Sequence, residues 1–173
     1  MSNVIWITGL SAAGKTTLAK ILTSKLKRDG KAVVMLDGDS LREVLDVESV
    51  HDQKTRLDLA YKYARLSKMI ADQGVIVIVS VVALFKEIHE WNRENLSSYF
   101  EVYLKVGIDE LKRRDPKKIY SRYDSGDIIN VAGLDLDFDE PLNPNLVLEY
   151  KQGVTPENEL KIALQKLHKE NYF

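Results

Sequence analysis

Short apolar runs alternate along the chain with longer segments in which apolar residues recur at helical spacing. The runs are bounded by polar or glycine-containing turns, which predicts buried strands. They cover residues 4–7, 32–36, 75–79, 99–104 and 146–149. The segments between them predict helices over residues 15–28, 41–45, 52–72, 84–96 and 108–114, and Thr155-Pro156-Glu157 begins a terminal helix.

The order of these elements predicts the fold class. Strands and helices alternate along the whole chain, without repeats or a low-complexity linker. This order is typical of an α/β domain in which helices cover both faces of one doubly wound parallel sheet of about five strands. We therefore predict a single domain over residues 1–173, with ligands bound beyond the carboxyl ends of the strands. Residues 115–138, rich in charged residues, serine and glycine, predict a mobile lid and are called the lid segment below.

Composition narrows the classes of function. The 173 residues include 25 basic and 26 acidic side chains, a net charge of −1, so we expect neither a nucleic acid polymer nor a membrane as partner. The absence of cysteine excludes disulfides, thiolate metal sites and a cysteine nucleophile. No secretory leader is visible before the first strand, and the apolar stretch 75–85 is too short to span a bilayer. We therefore expect a cytoplasmic protein.

The junction of the first strand and the first helix carries a phosphate-binding pattern. Gly9, Gly14, Lys15 and Thr16 fit the spacing G-x-x-x-x-G-K-[ST]. Glycines let successive backbone N–H groups point at a polyphosphate, the lysine reaches the terminal phosphates, and the threonine hydroxyl can ligate Mg²⁺. We therefore predict that this loop binds a nucleoside triphosphate and Mg²⁺. The predicted contacts are Gly9, Ser11, Ala12, Ala13, Gly14, Lys15, Thr16 and Thr17.

A phosphate loop alone does not separate a GTPase, an ATPase motor and a small-molecule kinase. The chain has no N-K-x-D guanine motif, and residues 75–82 lack the acid that a motor would place there. Asp37 and Asp39 follow the second strand, where one could accept a hydroxyl proton and the other could bind Mg²⁺. The alternative is a simple turn in which Asp39 or Ser40 caps a helix.

A kinase also needs cations that neutralise the transferred phosphoryl group. The chain offers Arg113, Arg114, Lys117, Lys118 and Arg122. A solvated basic face is the alternative explanation of this segment. Together with the two acids, these cations favour transfer to a small acceptor.

Several motifs beyond the loop resemble those of adenylyl-sulfate kinase. They lie at residues 9–17, 37–42, 114–120, 132–135 and 140–144, in order over nearly the whole chain. The resemblance implies a P-loop NTPase-type fold and a homodimer. It also implies that Mg²⁺ and ATP are used to phosphorylate the ribose 3′-hydroxyl of a small nucleotide conjugate.

The resemblance also implies roles for individual residues. Asp39 would be the base or hydroxyl-orienting acid and a metal ligand together with Thr16, while Asp37 and Arg42 would contact the acceptor. Lys15 would serve the phosphates, Lys117 would act from the closing lid, and Arg114 would lie near the base of ATP.

The departures from the family concern the acceptor pocket. Arg56 is retained from the family's Arg-x-x-Asn pattern, but Leu59 stands at its asparagine position. His51 and Val131 replace two phenylalanines that sandwich adenine in the family, and the loss of two stacking faces weakens the hold on a purine. Replacement contacts could come from Arg56, Lys86, Tyr61 and Tyr63, unless the tyrosines only pack their helix.

Three functions stay open from the sequence. The first is adenylyl-sulfate kinase with a degenerate pocket. The second is a kinase for another conjugate, as in the bacterial cytidine diphosphoramidate kinases of capsule biosynthesis, which resemble adenylyl-sulfate kinases. The third is a non-catalytic nucleotide-binding protein, against which the retention of Lys15, Thr16 and Asp39 argues. The isolated His89 and His168 lack metal-ligand spacing, and we expect both at the surface.

Overall fold

The computed structural model describes residues 3–47 and 52–172. Five parallel strands in these residues form one sheet in the order β2-β3-β1-β4-β5. The strands are β1 (Asn3–Thr8), β2 (Val33–Asp37), β3 (Ile76–Ser80), β4 (Ser98–Lys105) and β5 (Leu146–Glu149). The predicted doubly wound parallel sheet is confirmed, and no strand bound differs from its prediction by more than one residue.

Helices connect the strands and cover both faces of the sheet. They are α1 (Lys15–Arg28), α2 (Gly38–Val44), α3 (Gln53–Ala71), α4 (Lys86–Asn95), α5 (Ile108–Arg114), α6 (Ile119–Asp124) and α7 (Pro156–Lys169). Side chains alternate across a strand, so Ile5 and Ile7 of β1 belong to one core layer and Val4 and Trp6 to the other. The apolar residues 4–7 of β1 therefore contribute to both layers. None of the helices in the described residues is long and apolar enough to cross a membrane.

Two local predictions are wrong. Helix α2 is capped by Asp37, not by Asp39 or Ser40, because the Asp37 carboxylate accepts the backbone N–H of Asp39 at 3.1 Å. His89 is buried rather than at the surface, since its Nδ1 lies 2.6 Å from Oε1 of Glu101, a buried acid on β4. In both cases a carboxylate forms a hydrogen bond with a polar group, the N–H of Asp39 or the ring of His89, for which the sequence pattern showed no partner.

The lid segment contains a helix that the sequence did not predict. Helix α6 begins where the carboxylate of Asp115 accepts the backbone N–H groups of Ile119, Tyr120 and Ser121 at 2.7–3.2 Å. Further along, the Asp135 carboxylate accepts the backbone N–H groups of Asn130 and Val131 and so orders the loop before it. The lid segment therefore packs as a defined structure over the sheet.

Candidate functional site

A cavity of about 1080 Å³ lies at the carboxyl ends of β1, β2 and β3. Its wall includes the phosphate loop (residues 11–17), the turn after β2, the segment after β3 and much of the lid segment. The carboxyl ends of parallel strands share one edge of the sheet, which is why segments distant in sequence meet here. The cavity is therefore the candidate site.

The loop between β1 and α1 depends on backbone conformations that favour glycine. Gly9 has φ +149°, and a Cβ there would lie 2.7 Å from the backbone oxygen of Leu104 in β4. Gly14, at φ +102°, directly precedes α1. The turn thus delivers the start of α1 to the cavity, where its unpaired N–H groups are available to an anion.

Lys15 is buried, and no carboxylate of residues 3–47 or 52–172 forms an ion pair with its ammonium. Its Nζ donates to the backbone oxygen of Leu10 at 2.7 Å. Burial and the positive charge of Lys117 lower the pKa of Lys15 to about 7, although Asp37 and Asp39 oppose the change. A bound polyphosphate would give this lysine an anionic partner and would favour its charged form.

Thr16, Asp37 and Ser80 bring three oxygen-bearing side chains together. The Thr16 hydroxyl donates to Oδ2 of Asp37 at 2.7 Å and lies 3.3 Å from the Ser80 hydroxyl. Hydroxyl and carboxylate oxygens are the ligands that Mg²⁺ prefers, so this donor set fits the metal. Asp37 is the acid in contact with Thr16, whereas Asp39, predicted as a metal ligand, pairs with cations instead.

Asp39 lies between two cations from different parts of the chain. Its carboxylate pairs with Arg42 on α2 and with Lys117 in the lid segment. Burial works to raise the pKa of Asp39, but Lys117 and Arg42 outweigh it and hold the pKa below its usual value. Asp39 is therefore an ionised carboxylate at the cavity wall, as a general base or orienting acid must be.

The nucleotide side of the cavity is built by α5 and α6. Arg114 lies over the ring of Tyr150, at 4.6 Å from its centroid, and its Nε donates to Glu110 at 2.7 Å. The Tyr120 hydroxyl donates to the backbone oxygen of Ser11 at 2.9 Å, which ties the lid segment to the phosphate loop. These contacts hold Arg114 at the mouth of the loop, near the predicted position of the base of ATP.

The opposite side of the cavity joins α3 to the lid segment. Arg56 donates to the backbone oxygen of Asn130 at 2.7 Å, and Asp135 accepts the N–H groups of Asn130 and Val131 at 2.8 Å and 2.6 Å. Val131 is buried and lines the cavity together with Leu59. This part of the wall therefore includes aliphatic side chains, and the partly buried Arg56 ties α3 to the lid segment across it.

Most of the predicted site residues meet in the cavity. Its lining contains residues 11–17, Asp37, Asp39, Arg42, Arg56, Arg114, Lys117 and Val131. Gly9 lies behind the loop, and Lys86 lies outside the lining, with its Nζ 3.7 Å from Glu90. Tyr61 also lies elsewhere and packs edge-on against Trp91. His51 falls outside the described residues.

Ser80 and Ile119 are among the lining residues that had no predicted role in the site. Ser80 completes the oxygen cluster, and its signal was the one polar residue that interrupts the apolar run 75–85. Ile119 lines the cavity from the unpredicted helix α6. No local signal marks Ile119, because its position depends on the packing of the lid segment.

Comparison with known proteins places this geometry among nucleotide kinases. A family model described as adenylylsulphate kinase matches residues 1–149. The cytidine diphosphoramidate kinase of Campylobacter jejuni is 38% identical over 164 residues, which is 95% of each chain. A probable adenylyl-sulfate kinase of Archaeoglobus fulgidus is 38% identical over 149 residues, covering 86% of this chain and 96% of the relative.

A solved structure shares the fold over nearly the full length. It is the Mycobacterium tuberculosis APS kinase in complex with AMPPNP and APS, with a TM-score of 0.89 and 26% identity. The match covers 96% of this chain and 98% of the other. Sheet order, phosphate loop and lid segment are thus parts of one shared architecture.

Proposed function

The chain belongs to the adenylylsulphate kinase family and is an ATP-dependent kinase with a hydroxyl acceptor, and we propose that this acceptor is a cytidine nucleotide conjugate such as cytidine diphosphoramidate. The lining of the cavity opposite Arg114 carries the proposal. Leu59 and the buried Val131 stand there in place of the family's asparagine and one stacking phenylalanine. A pyrimidine needs less stacking surface than adenine. The Campylobacter jejuni relative, matched over 95% of both chains, supports the same acceptor.

The proposed reaction is an in-line transfer of the γ-phosphoryl group of ATP. Asp39 orients the acceptor hydroxyl, proposed to be the ribose 3′-hydroxyl, and accepts its proton. The hydroxyl oxygen forms a bond to the γ-phosphorus, the bond from this phosphorus to the bridging oxygen breaks, and ADP leaves. Lys15 and Lys117 stabilise the developing negative charge.

We further propose Mg²⁺ as the metal of this site. Thr16, Asp37 and Ser80 would hold it, directly or through water, because the Thr16 hydroxyl oxygen lies 2.7 Å from the Asp37 carboxylate and 3.3 Å from the Ser80 hydroxyl. When bound, Mg²⁺ neutralises charge on the phosphates. Arg42 and Arg56 would contact the acceptor, and Arg114 the base of ATP.

Adenylyl sulfate is the second candidate acceptor. It is supported by the Archaeoglobus fulgidus relative and by the APS complex of the Mycobacterium tuberculosis enzyme. The homodimer implied by the family resemblance also stays a proposal, to be tested by sedimentation equilibrium at several protein concentrations.

A coupled assay of ADP release tests the acceptor. Purified protein is supplied with Mg-ATP and either cytidine diphosphoramidate or adenylyl sulfate, over a range of acceptor concentrations. We expect a higher kcat/KM with the cytidine compound. A preference for adenylyl sulfate would replace the first candidate with the second, and ATP binding without turnover of either would favour a non-catalytic protein.

The same assay tests the role of Asp39. Asp39→Asn keeps the shape but removes the base, so we expect kcat to fall roughly 100-fold to 10,000-fold with the KM for ATP little changed. Glu43→Gln, an exposed change on the same helix, is the control. Full turnover by the Asp39 variant would contradict the mechanism.

A further inference from the structure

The hydroxyl of Tyr63 is a buried polar group that the mechanism above does not use. Tyr63 lies on α3, is only 4% exposed and lines the cavity. Among the described residues its hydroxyl oxygen has no hydrogen-bond partner of normal geometry. A buried hydroxyl without a partner lowers stability, so packing alone gives no reason for tyrosine rather than phenylalanine here.

Three charged groups act on this hydroxyl, namely Arg42, Asp39 and Asp37, and among the described residues neither carboxylate accepts its proton. The Arg42 guanidinium is close enough to influence Tyr63, but a guanidinium has only donors, so the Tyr63 proton has no acceptor there. Burial raises the pKa of Tyr63, Arg42 offsets part of that rise, and Asp39 and Asp37 add to it. The hydroxyl is therefore protonated at neutral pH and remains a donor.

Tyr63 and Arg42 thus form a pair of adjacent donors at the cavity wall. Arg42 also holds Asp39, the acid proposed to orient the acceptor hydroxyl, so the donor pair lies on the acceptor side of the reaction. An anionic oxygen is the best acceptor for a guanidinium and a hydroxyl together. Its charge-assisted hydrogen bonds are stronger than those that the neutral edge of a nucleotide base would accept. A phosphate oxygen has this chemistry.

We propose that the Tyr63 hydroxyl donates a hydrogen bond to a phosphate oxygen of the acceptor nucleotide, beside Arg42. The inference rests on the proposed function only in taking the acceptor to be a nucleotide. It is independent of the base, because cytidine diphosphoramidate and adenylyl sulfate both carry a phosphate group. Tyr63 is then a residue that recognises the acceptor, and ATP binding does not depend on it.

Tyr63→Phe removes only the hydroxyl and is the variant to test. Calorimetric titrations, with the ATP site saturated by Mg²⁺ and a non-hydrolysable ATP analogue, use cytidine 5′-diphosphate, adenylyl sulfate and unphosphorylated cytidine as probes. We expect Tyr63→Phe to bind the phosphorylated probe that the wild type binds roughly 10-fold to 100-fold more weakly. This is the range expected when a hydrogen bond to a charged group is lost. Affinity for cytidine and for the ATP analogue stays unchanged.

Tyr172→Phe is the matched control, because its hydroxyl has a structural role. That hydroxyl donates to the backbone oxygens of Val4 and Ser98, at 2.6 Å and 2.8 Å, and Tyr172 is not part of the cavity lining. We expect Tyr172→Phe to lower the melting temperature and leave probe affinity unchanged. Tyr63→Phe should do the reverse, with a melting temperature equal to or above that of the wild type.

Three results would overturn the inference. They are wild-type affinity in the Tyr63 variant, an equal loss for cytidine and its diphosphate, and a wild type that binds neither phosphorylated probe. Failure of the proposed acceptor is a separate outcome, since a wild type that binds only adenylyl sulfate would refute the cytidine proposal. The Tyr63 contact would then be judged on adenylyl sulfate alone.

Discussion

Replacing Lys15 by methionine should stabilise the protein without ligand while removing its ability to bind ATP. The lysine has an ordinary pKa of 10.5 that falls to about 7 in the fold, chiefly because the ammonium is buried. At 1.36 kcal/mol for each pH unit, this difference corresponds to about 5 kcal/mol of destabilisation when the lysine is charged in both states. Methionine has similar length and carries no charge, so the variant avoids this cost.

The measured gain should be smaller than this upper limit. The bond from Lys15 to the Leu10 oxygen is lost, although that oxygen still accepts the N–H of Ala13 at 3.3 Å, and relaxation around a buried charge reduces its cost. We therefore expect the free energy of unfolding to rise by about 2–3 kcal/mol near pH 6.

The pH dependence identifies the cause. Between about pH 7 and the unfolded value of 10.5, the unfolded chain holds a proton on Lys15 that the folded chain has released. Wild-type stability therefore rises with pH in this window, and the advantage of the variant shrinks to about 1 kcal/mol or less near pH 9. Urea unfolding at both pH values measures the advantage.

Lys20→Met, an exposed change on the same helix, is the control and should alter stability little at either pH. ATP should raise the melting temperature of the wild type and of the control, but not of the Lys15 variant. A variant less stable than the wild type near pH 6, or a gain independent of pH, would refute the argument from burial.

Two further substitutions test parts of the fold that support the site. Gly9→Ala should lower the free energy of unfolding by about 2 kcal/mol or more and weaken ATP binding, because the new Cβ would lie 2.7 Å from a backbone oxygen of β4. In the control Gly107→Ala the new Cβ meets nothing within 4 Å, so the loss should be less than about 1 kcal/mol. Glu101→Gln should lower the free energy of unfolding by about 3–5 kcal/mol, because a buried acid that pairs with His89 is removed, whereas exposed Glu94→Gln should have little effect. Burial works to raise the pKa of Glu101, but His89, Tyr99 and Arg93 together lower it. Wild-type stability from this acid is therefore complete above about pH 4.5 and is lost as the pH falls below it. These expectations would be contradicted if Gly9→Ala and Gly107→Ala, or Glu101→Gln and Glu94→Gln, unfolded at the same urea concentration. They would also be contradicted if the wild type lost no stability below about pH 4.5.

The sequence predicted those parts of the fold that depend on neighbouring residues. Strand β3 is buried throughout and apolar up to its last residue, Ser80. Helix α1 begins directly after the glycine of the phosphate loop, as its pattern requires. Both features follow from hydrophobic period and from backbone chemistry within a few residues. The same local rules bring Asp37 and Asp39 to the edge of the sheet, because they directly follow a strand.

Features that depend on distant partners were missed. His89 looked isolated because its partner Glu101 lies on the next strand, where a single acid in an apolar run gives no sign of burial. Helix α6 was missed in a charged segment because it is fixed by the carboxylate of Asp115 and by the Tyr120 contact with the phosphate loop. Polar contacts between segments carry no period, so a pattern along the chain does not reveal them.

In the protein without ligand, the cations and acids of the cavity are paired unequally. Asp39 is paired with both Arg42 and Lys117, while the ammonium of buried Lys15 donates to the backbone oxygen of Leu10. On the roles proposed above, a bound polyphosphate would be a more highly charged partner for Lys15 and Lys117. If Lys117 turned from Asp39 to the phosphates, Asp39 would keep its ion pair with Arg42. ATP binding then both relieves the cost of the buried lysine and frees one side of the acid for the acceptor hydroxyl. The stability that Lys15→Met is expected to regain is thus the stability that the wild type gives up in order to bind phosphate.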